Sequence, residues 1–205
     1  MRLDKFLAEK FGSRSRAADA IERGLVLVNG SVKPCSYEVR EGDEISTSTA
    51  EISFVSAGGY KLYKALRDFG FSVEGKVFAD IGASTGGFTD CLLKNGAKKV
   101  YCIDVGESQL SSSLLSENVR GIDNFNARNL SKELFDEELD GITIDVSFIS
   151  LTCILGAAGA VLPERGHILA LIKPQFECEG RNVGKNGIVR GEKRHRDIIR
   201  KIYDF

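Results

Sequence analysis

The sequence predicts an α/β fold, a parallel sheet covered by helices, with a small α+β unit ahead of it. Three observations predict this. Short apolar runs alternate with helical periodicities from Val77 to Ile172. A glycine-rich bend, Gly82 to Gly87, follows the first of those runs. The first fifty residues carry a different pattern, two short helical stretches and a hairpin signal.

In the first segment, Leu3, Phe6, Leu7 and Phe11 lie at helical spacing, predicting a helix over 1–12. Ser13 can cap a second helix through Ala17, Ala18 and Ile21, which Gly24 ends. Leu25–Val28 meets Asn29-Gly30, the pair favoured in two-residue hairpin turns, so Val32 should begin the return strand. Tyr37–Val39 and Glu44–Ser46 read as further short strands. Ser, Thr, Ala and Gly then punctuate residues 47–59, which reads as a linker. The expected organisation is a small domain over 1–50, a linker over 51–60 and an α/β domain over 61–205.

In the α/β segment, Leu62 to Phe69 reads as a helix closed by Gly70, and Val77–Ile81 as a buried strand. Phe88–Asn95 is the helix after the bend, and Val100–Ile103 the second strand. A helix around Leu110–Leu115, a strand near Val119–Ile122 and a strand Ile142–Ile144 follow. Ile149–Val161 reads as an apolar helix and His167–Ile172 as a strand. A long loop, Pro174–Gly191, leads to a basic helix from Glu192.

Composition narrows the function classes. With 42% hydrophobic and 28% charged residues and a net charge of −1, disorder and coiled coil are excluded. The apolar run Cys153–Leu162 is far short of the roughly 20 residues a membrane span needs. No signal peptide is evident at the start, and five widely spaced cysteines without a CxxC pair suit a reducing cytoplasm and no metal site. The neutral mean hides an asymmetry. Residues 1–33 carry seven Lys/Arg against four Asp/Glu, and residues 173–205 nine against five. Basic ends on a neutral chain point to a local polyanion-binding face.

Asp80 stands two residues before the first glycine of the bend. A carboxylate there would repel a pyrophosphate but could pair with the cationic amino acid end of S-adenosylmethionine. Gly82 and Gly86 let the backbone approach such a ligand, and Asp104, at the tip of the second strand, sits where a ribose diol is accepted. Three further residues fall where chemistry is plausible: Lys61 after Gly58-Gly59, Asp145 ending the Ile142–Ile144 strand, and Lys173 ending the next one. A lysine crowded by a second cation can serve as general base for methyl transfer to a hydroxyl, with an aspartate holding both. Arg2, Lys5, Arg14, Arg16 and Arg23 cluster on the first two helices as phosphate contacts. No base-stacking platform is evident, so recognition by shape and phosphate is expected.

These segments together resemble the TlyA family. The first fifty residues are similar to an S4 RNA-binding domain in Arg2-Leu-Asp-Lys-Phe-Leu7, Ser13-Arg-Ser-Arg-Ala17 and Val26-Leu-Val-Asn-Gly30. Gly58-Gly-Tyr-Lys-Leu62, Asp80 to Phe88, Asp145-Val-Ser-Phe-Ile-Ser-Leu151 and Lys173-Pro-Gln-Phe-Glu177 carry the rest. The resemblance implies a Rossmann-like, FtsJ-like methyltransferase fold and S-adenosylmethionine-dependent 2′-O-methylation of ribosomal RNA. It implies that Lys61, Asp145 and Lys173 match the first three members of a Lys-Asp-Lys-Glu tetrad. It implies cofactor contacts at Asp80, Gly82, Ser84, Gly86 and Asp104, with Asp123 near the adenine. The implied partners are structured ribosomal RNA or ribosomal subunits, in the cytoplasm, with neither membrane nor metal. Two departures stand out. Ala57 replaces the family's usual Arg, and the chain stops at Phe205, ahead of the family's last strands and the fourth tetrad residue, so the domain is expected to be C-terminally incomplete. Glu177 and Glu179 read as loop charge. The alternatives are an RNA-binding protein of this fold without turnover, or a haemolysin acting on membranes.

Overall fold

The computed structural model describes residues 1–22, 24–47, 53–178, 183–184 and 187–205. Arg23 and the side chain of Arg16, two of the expected RNA contacts, and Glu179, expected as loop charge, lie outside the described residues. The chain forms two compact units, Met1–Gly70 and Phe71–Phe205.

The first unit contains α1 (Leu3–Phe6), α2 (Arg14–Glu22), β1 (Val26–Val28), β2 (Ile45–Thr47) and α3 (Gly58–Phe69). Leu3, Leu7, Ala17, Ala20, Ile21, Val26 and Val28 form its core. The helix expected over 1–12 is a single turn. Its start is tied across the unit, Leu3 N–H donating to Tyr37 O and Asp4 N–H to Cys35 O, and Gly12 (φ 76°) turns the chain before α2. Asn29 and Gly30 make the expected tight turn, with φ of 52° and 73°. However, β1 pairs antiparallel with β2, Val26 opposite Thr47, and not with a strand from Val32. The cause is the Asn29 side chain. Its Nδ2 donates to Asp43 at 2.8 Å and its Oδ1 accepts from Glu44 N–H at 2.8 Å, which draws the later segment alongside β1. In α3, Leu62 and Leu66 face inward and Phe69 is exposed. Gly70, left-handed at φ 61°, caps its last carbonyls.

The second unit is a five-stranded parallel sheet in the order β5-β4-β3-β6-β7, with β3 Val77–Ile81, β4 Lys99–Ile103, β5 Val119–Ile122, β6 Gly141–Ile144 and β7 His167–Ala170. Helices α4 (Gly87–Lys94) and α5 (Thr152–Val161) connect β3 to β4 and β6 to β7, and α6 (Pro174–Glu177) and α7 (Glu192–Tyr203) follow. The expected helix around Leu110–Leu115 is a 3₁₀ turn, Ser112–Leu114. Connections leave β3 and β6 in opposite directions, so the crevice at their carboxyl ends is a topological switch point, where open α/β sheets bind ligands.

Alternation along the strands sorts the side chains. Val77, Ala79 and Ile81 pack with Ile142, Ile144, Ile154 and Ala158 in one core on the α5 side. Asp80 and Thr143 therefore point to the opposite face. There the fully buried Asp80 carboxylate accepts from Thr89 Oγ1 of α4 at 2.7 Å and from Thr143 Oγ1 at 2.9 Å. Burial pushes its pKa up from 3.8 to about 6, against the pull of the two threonine hydroxyls.

A raised folded-state pKa favours the fold while the proton is bound. The contribution is full below the unfolded value and lost as pH rises through about 6, a swing of roughly 3 kcal/mol. Asp80→Asn removes the titration. Its stability relative to the unaltered chain should climb by up to about that amount between pH 4 and 7.5, as measured by denaturant unfolding. A difference independent of pH would overturn this assignment.

Candidate active site

The bend after β3 is built by hydrogen bonds to β4. Gly82 N–H donates to Ile103 O at 2.8 Å, and Ser84 N–H donates to Asp104 Oδ2 at 2.8 Å. Gly82 has φ 79°, and a Cβ placed on it would lie 2.7 Å from the Asp145 carbonyl oxygen. Only glycine lets the ends of β3 and β6 come this close. Gly86 (φ 92°) stands at the start of α4, where a Cβ would strike the Leu110 and Leu114 side chains.

Beside this bend lies a cavity of about 570 Å³, within the range of small-molecule sites. Gly82, Ser84, Asp104, Phe125, Asp145 and Phe148 are among its lining residues. Asp104 already accepts from Ser84 and Gly106 N–H, one bond per oxygen, which leaves a lone pair on each for a ligand hydroxyl. Ile81, Ile103 and Ile154 give the interior an apolar wall. Backbone strain concentrates here as well. Among the described residues five non-glycines have positive φ. One is Asn29 in its hairpin turn; Ser84 and Phe148 line the cavity, and Ser108 and Asn124 adjoin the lining residues Gln109 and Phe125.

The lining residue Asp145, next to the bend, belongs to a charged pair. Lys173 Nζ lies 2.5 Å from Asp145 Oδ1, an atom cut off from solvent, and donates to Ser147 Oγ at 2.9 Å. This pairing locks together the loops that follow β6 and β7. Phe148 and Phe176 meet with 5.1 Å between ring centroids and their planes tilted by 47°. Ser150 Oγ donates to Glu177 Oε2 at 2.5 Å, and Leu151 N–H to Glu177 Oε1 at 2.9 Å. Glu177 is therefore not loop charge. It is 4% exposed and holds the chain entering α5. Its burial follows from α6, a helical turn that Pro174 opens inside the stretch expected to be loop.

Of the residues expected at a cofactor, Gly82, Ser84 and Asp104 line the cavity. Asp80 does not; its carboxylate faces α4, and it supports the bend from behind through Thr89. Gly86 belongs to the same bend, as the residue that caps the start of α4, and is not among the lining residues. Asp123 is exposed, and its Oδ2 accepts from Ser108 N–H at 2.9 Å beside the cavity wall. Asp145 and Lys173 come together as described, whereas Lys61 is exposed on α3 of the first unit. Arg2 and Arg14 both bind Asp4, and Lys5 is exposed. Within the Asp145–Leu151 segment, no sequence signal singles out Phe148 as a site residue. It is 92% exposed and holds φ 65°, and a side chain of that type signals neither property in advance. Among the described residues no three His, Cys, Asp or Glu side chains converge to hold a metal ion, and no helix is long and apolar enough to cross a membrane.

The donor set suits S-adenosylmethionine. The glycine bend allows close backbone approach, Asp104 keeps two acceptor lone pairs, and the apolar wall can cover a flat base. Comparison with known proteins agrees. Residues 54–205 match the FtsJ-like methyltransferase family, and residues 1–45 match the S4 domain. The chain is 46% identical over 213 residues to hemolysin A of Brachyspira hyodysenteriae, covering all of this chain and 88% of that one. It is 39% identical over 181 residues to the 16S/23S rRNA (cytidine-2′-O)-methyltransferase TlyA of Mycobacterium tuberculosis, covering 86% and 67%. A solved putative hemolysin from Streptococcus thermophilus superposes with a TM-score of 0.72 at 40% identity, covering 100% of this chain and 77% of that one. The glycine bend, the acid at the tip of β4 and these matches lead to one assignment: the chain belongs to the FtsJ-like methyltransferase family and carries an S4 domain ahead of the methyltransferase domain.

Proposed function

We infer that the chain is an S-adenosylmethionine-dependent methyltransferase acting on ribose 2′-hydroxyls of ribosomal RNA, and therefore works in the cytoplasm. The observation that carries this reading is the Asp145–Lys173 pair on the rim of a cavity framed by a glycine bend and Asp104. The relatives described as rRNA (cytidine-2′-O)-methyltransferases and the S4 match support the substrate class.

S-adenosylmethionine supplies a methyl group on a positively charged sulfur. Gly82 and Ser84 would admit it against the backbone, and Asp104 would accept its ribose hydroxyls. The receiving 2′-hydroxyl must lose a proton as the new bond forms. Lys61 and Lys173 are the groups proposed to take that proton or to hold the oxygen as it becomes an anion. Asp145 and Ser147 fix the Lys173 ammonium, so little motion is needed once the substrates are in place. Phe148 offers an exposed ring on which an unstacked base can lie while its ribose reaches the pair. Arg2, Lys5, Arg14 and Arg16 are proposed to grip phosphates, with Arg23 beside them in the sequence.

Three outcomes test the reading. Lys61→Ala and Lys173→Ala should each lower methyl transfer to bacterial ribosomal subunits by about 100-fold or more, with S-adenosylmethionine binding within a few-fold of the unaltered chain by calorimetry. Incorporation equal to the unaltered chain would remove that lysine from the reaction. Phe148→Ala should raise the RNA concentration needed for half-maximal rate while leaving cofactor affinity unchanged, because stacking on an aromatic ring contributes about 1–3 kcal/mol per base. Gly82→Ala should abolish calorimetric S-adenosylmethionine binding, since its Cβ would displace the Asp145 backbone. Undiminished affinity would move the cofactor away from the bend.

A further inference from the structure

Asp4 is the one acidic residue of α1, yet it is 4% exposed inside a segment expected to meet a polyanion. Two guanidinium groups converge on it. Arg2 donates from Nε to Oδ1 at 3.1 Å and from Nη2 to Oδ2 at 2.9 Å. Arg14 donates from Nε at 3.1 Å and from Nη2 at 3.0 Å, both to Oδ2. One carboxylate therefore orients two planar cations, and the trio keeps a formal charge of +1. Both arginine side chains stay open to solvent, 45% and 58% exposed, while the carboxylate between them is shielded. Each spends the same edge, Nε and Nη2, on Asp4, and among the described residues neither Nη1 has a hydrogen-bond partner.

The backbone beneath is tied to the core of the unit. Asp4 N–H donates to Cys35 O at 3.2 Å, and the neighbouring Leu3 is fully buried in the core. The two arginines hold Asp4 well deprotonated, at a pKa of about 2, so the arrangement persists throughout the physiological pH range. The nearby Glu38 is engaged by the Met1 amino group at 2.8 Å. Arg14 also stands in the first turn of α2, which has no acidic residue of its own. Asp4 offsets only one of the two guanidinium charges, and the remaining positive charge at this helix start suits an incoming anion.

We propose that Asp4 is a positioning residue for RNA binding: it sets the Arg2 and Arg14 guanidinium groups as a two-pronged fork for one backbone phosphate. The inference rests on the ribosomal RNA reading above and adds to it the geometry of a single contact. It also has a consequence of unusual sign. Removing a negative charge next to RNA ordinarily strengthens binding. Here the carboxylate organises the cations, so its loss disorders two long side chains and weakens binding.

The test uses the full chain, protein-free bacterial ribosomal RNA and a salt series. Asp4→Asn, which raises the net charge by one, is expected to weaken RNA binding by about 3- to 10-fold. Arg2→Ala and Arg14→Ala should weaken it too, each lowering the slope of log affinity against log salt by roughly one unit or less. In the background lacking both arginines, Asp4→Asn should reverse sign and strengthen binding, which a merely structural role would not produce. Far-ultraviolet circular dichroism checks that the variants fold. Should the Asn variant fail to fold, Arg14→Lys keeps the charge and removes the planar edge, and is expected to weaken binding nearly as much as Arg14→Ala. Tighter binding by Asp4→Asn alone, or full affinity in Arg14→Lys, overturns the fork. Loss of the fork with methyl transfer by the unaltered chain intact leaves the proposed function standing. If the unaltered chain shows neither RNA binding nor methyl transfer, both fall.

Discussion

The ion pair between Asp145 and Lys173 is the interaction on which the site depends. Two charges with side chains only 19% exposed each give up much of their hydration, and Coulomb attraction offsets that only when the geometry is held. The sheet supplies the first constraint. Strands β6 and β7 are parallel neighbours with Ile144 opposite Ala170, so both loops leave the same edge side by side. The second constraint is the sequence of cross-loop contacts beyond the pair, through Phe148 and Phe176 to Glu177 and the start of α5. Asp145, Ser147, Phe148, Ser150 and Leu151 of one loop each meet Lys173, Phe176 or Glu177 of the other, so a shift of either loop breaks several contacts at once.

A second requirement is close approach of backbone at the crevice. The bend after β3 lies against the Asp145 carbonyl, so the surface that would receive the cofactor and the carboxylate that holds Lys173 share one wall. Asp80 stiffens this wall from the buried side by fixing Thr89 in α4. The charged pair, the bend and the buried acid thus form a continuous connection through β3 and β6. In the first unit, too, a buried carboxylate governs cations that the solvent can reach.

The order of strands and helices from Val77 to Ala170 was legible because buried parallel strands are short apolar runs with strong boundaries. Asp104, Asp145 and Lys173 were legible because strand ends mark the crevice of any doubly wound sheet. Side-chain direction was not. Asp80 sits at the right place in the chain, but strand alternation turns it toward α4, and only the packed sheet shows which face that is. The pairing of β1 with β2 depends on the Asn29 side chain, a contact between residues 15 positions apart that no local pattern encodes. Glu177 looked like a loop acid because its partners, Ser150 and Leu151, are 26 to 27 positions away in sequence. Helix 1–12 failed because apolar spacing persists through turns as well as through helices.

The left-handed residues around the cavity bear on attempts to engineer this protein. Ser84, Ser108, Asn124 and Phe148 each hold a conformation that costs an ordinary side chain on the order of 1 kcal/mol or more. Glycine at these places would relieve the strain, and a search for heat-resistant variants would be drawn to them. The same replacements would soften the walls of the ligand chamber and remove the exposed ring. Hardening of the chain is therefore better sought at its periphery, where gains in robustness do not trade against turnover.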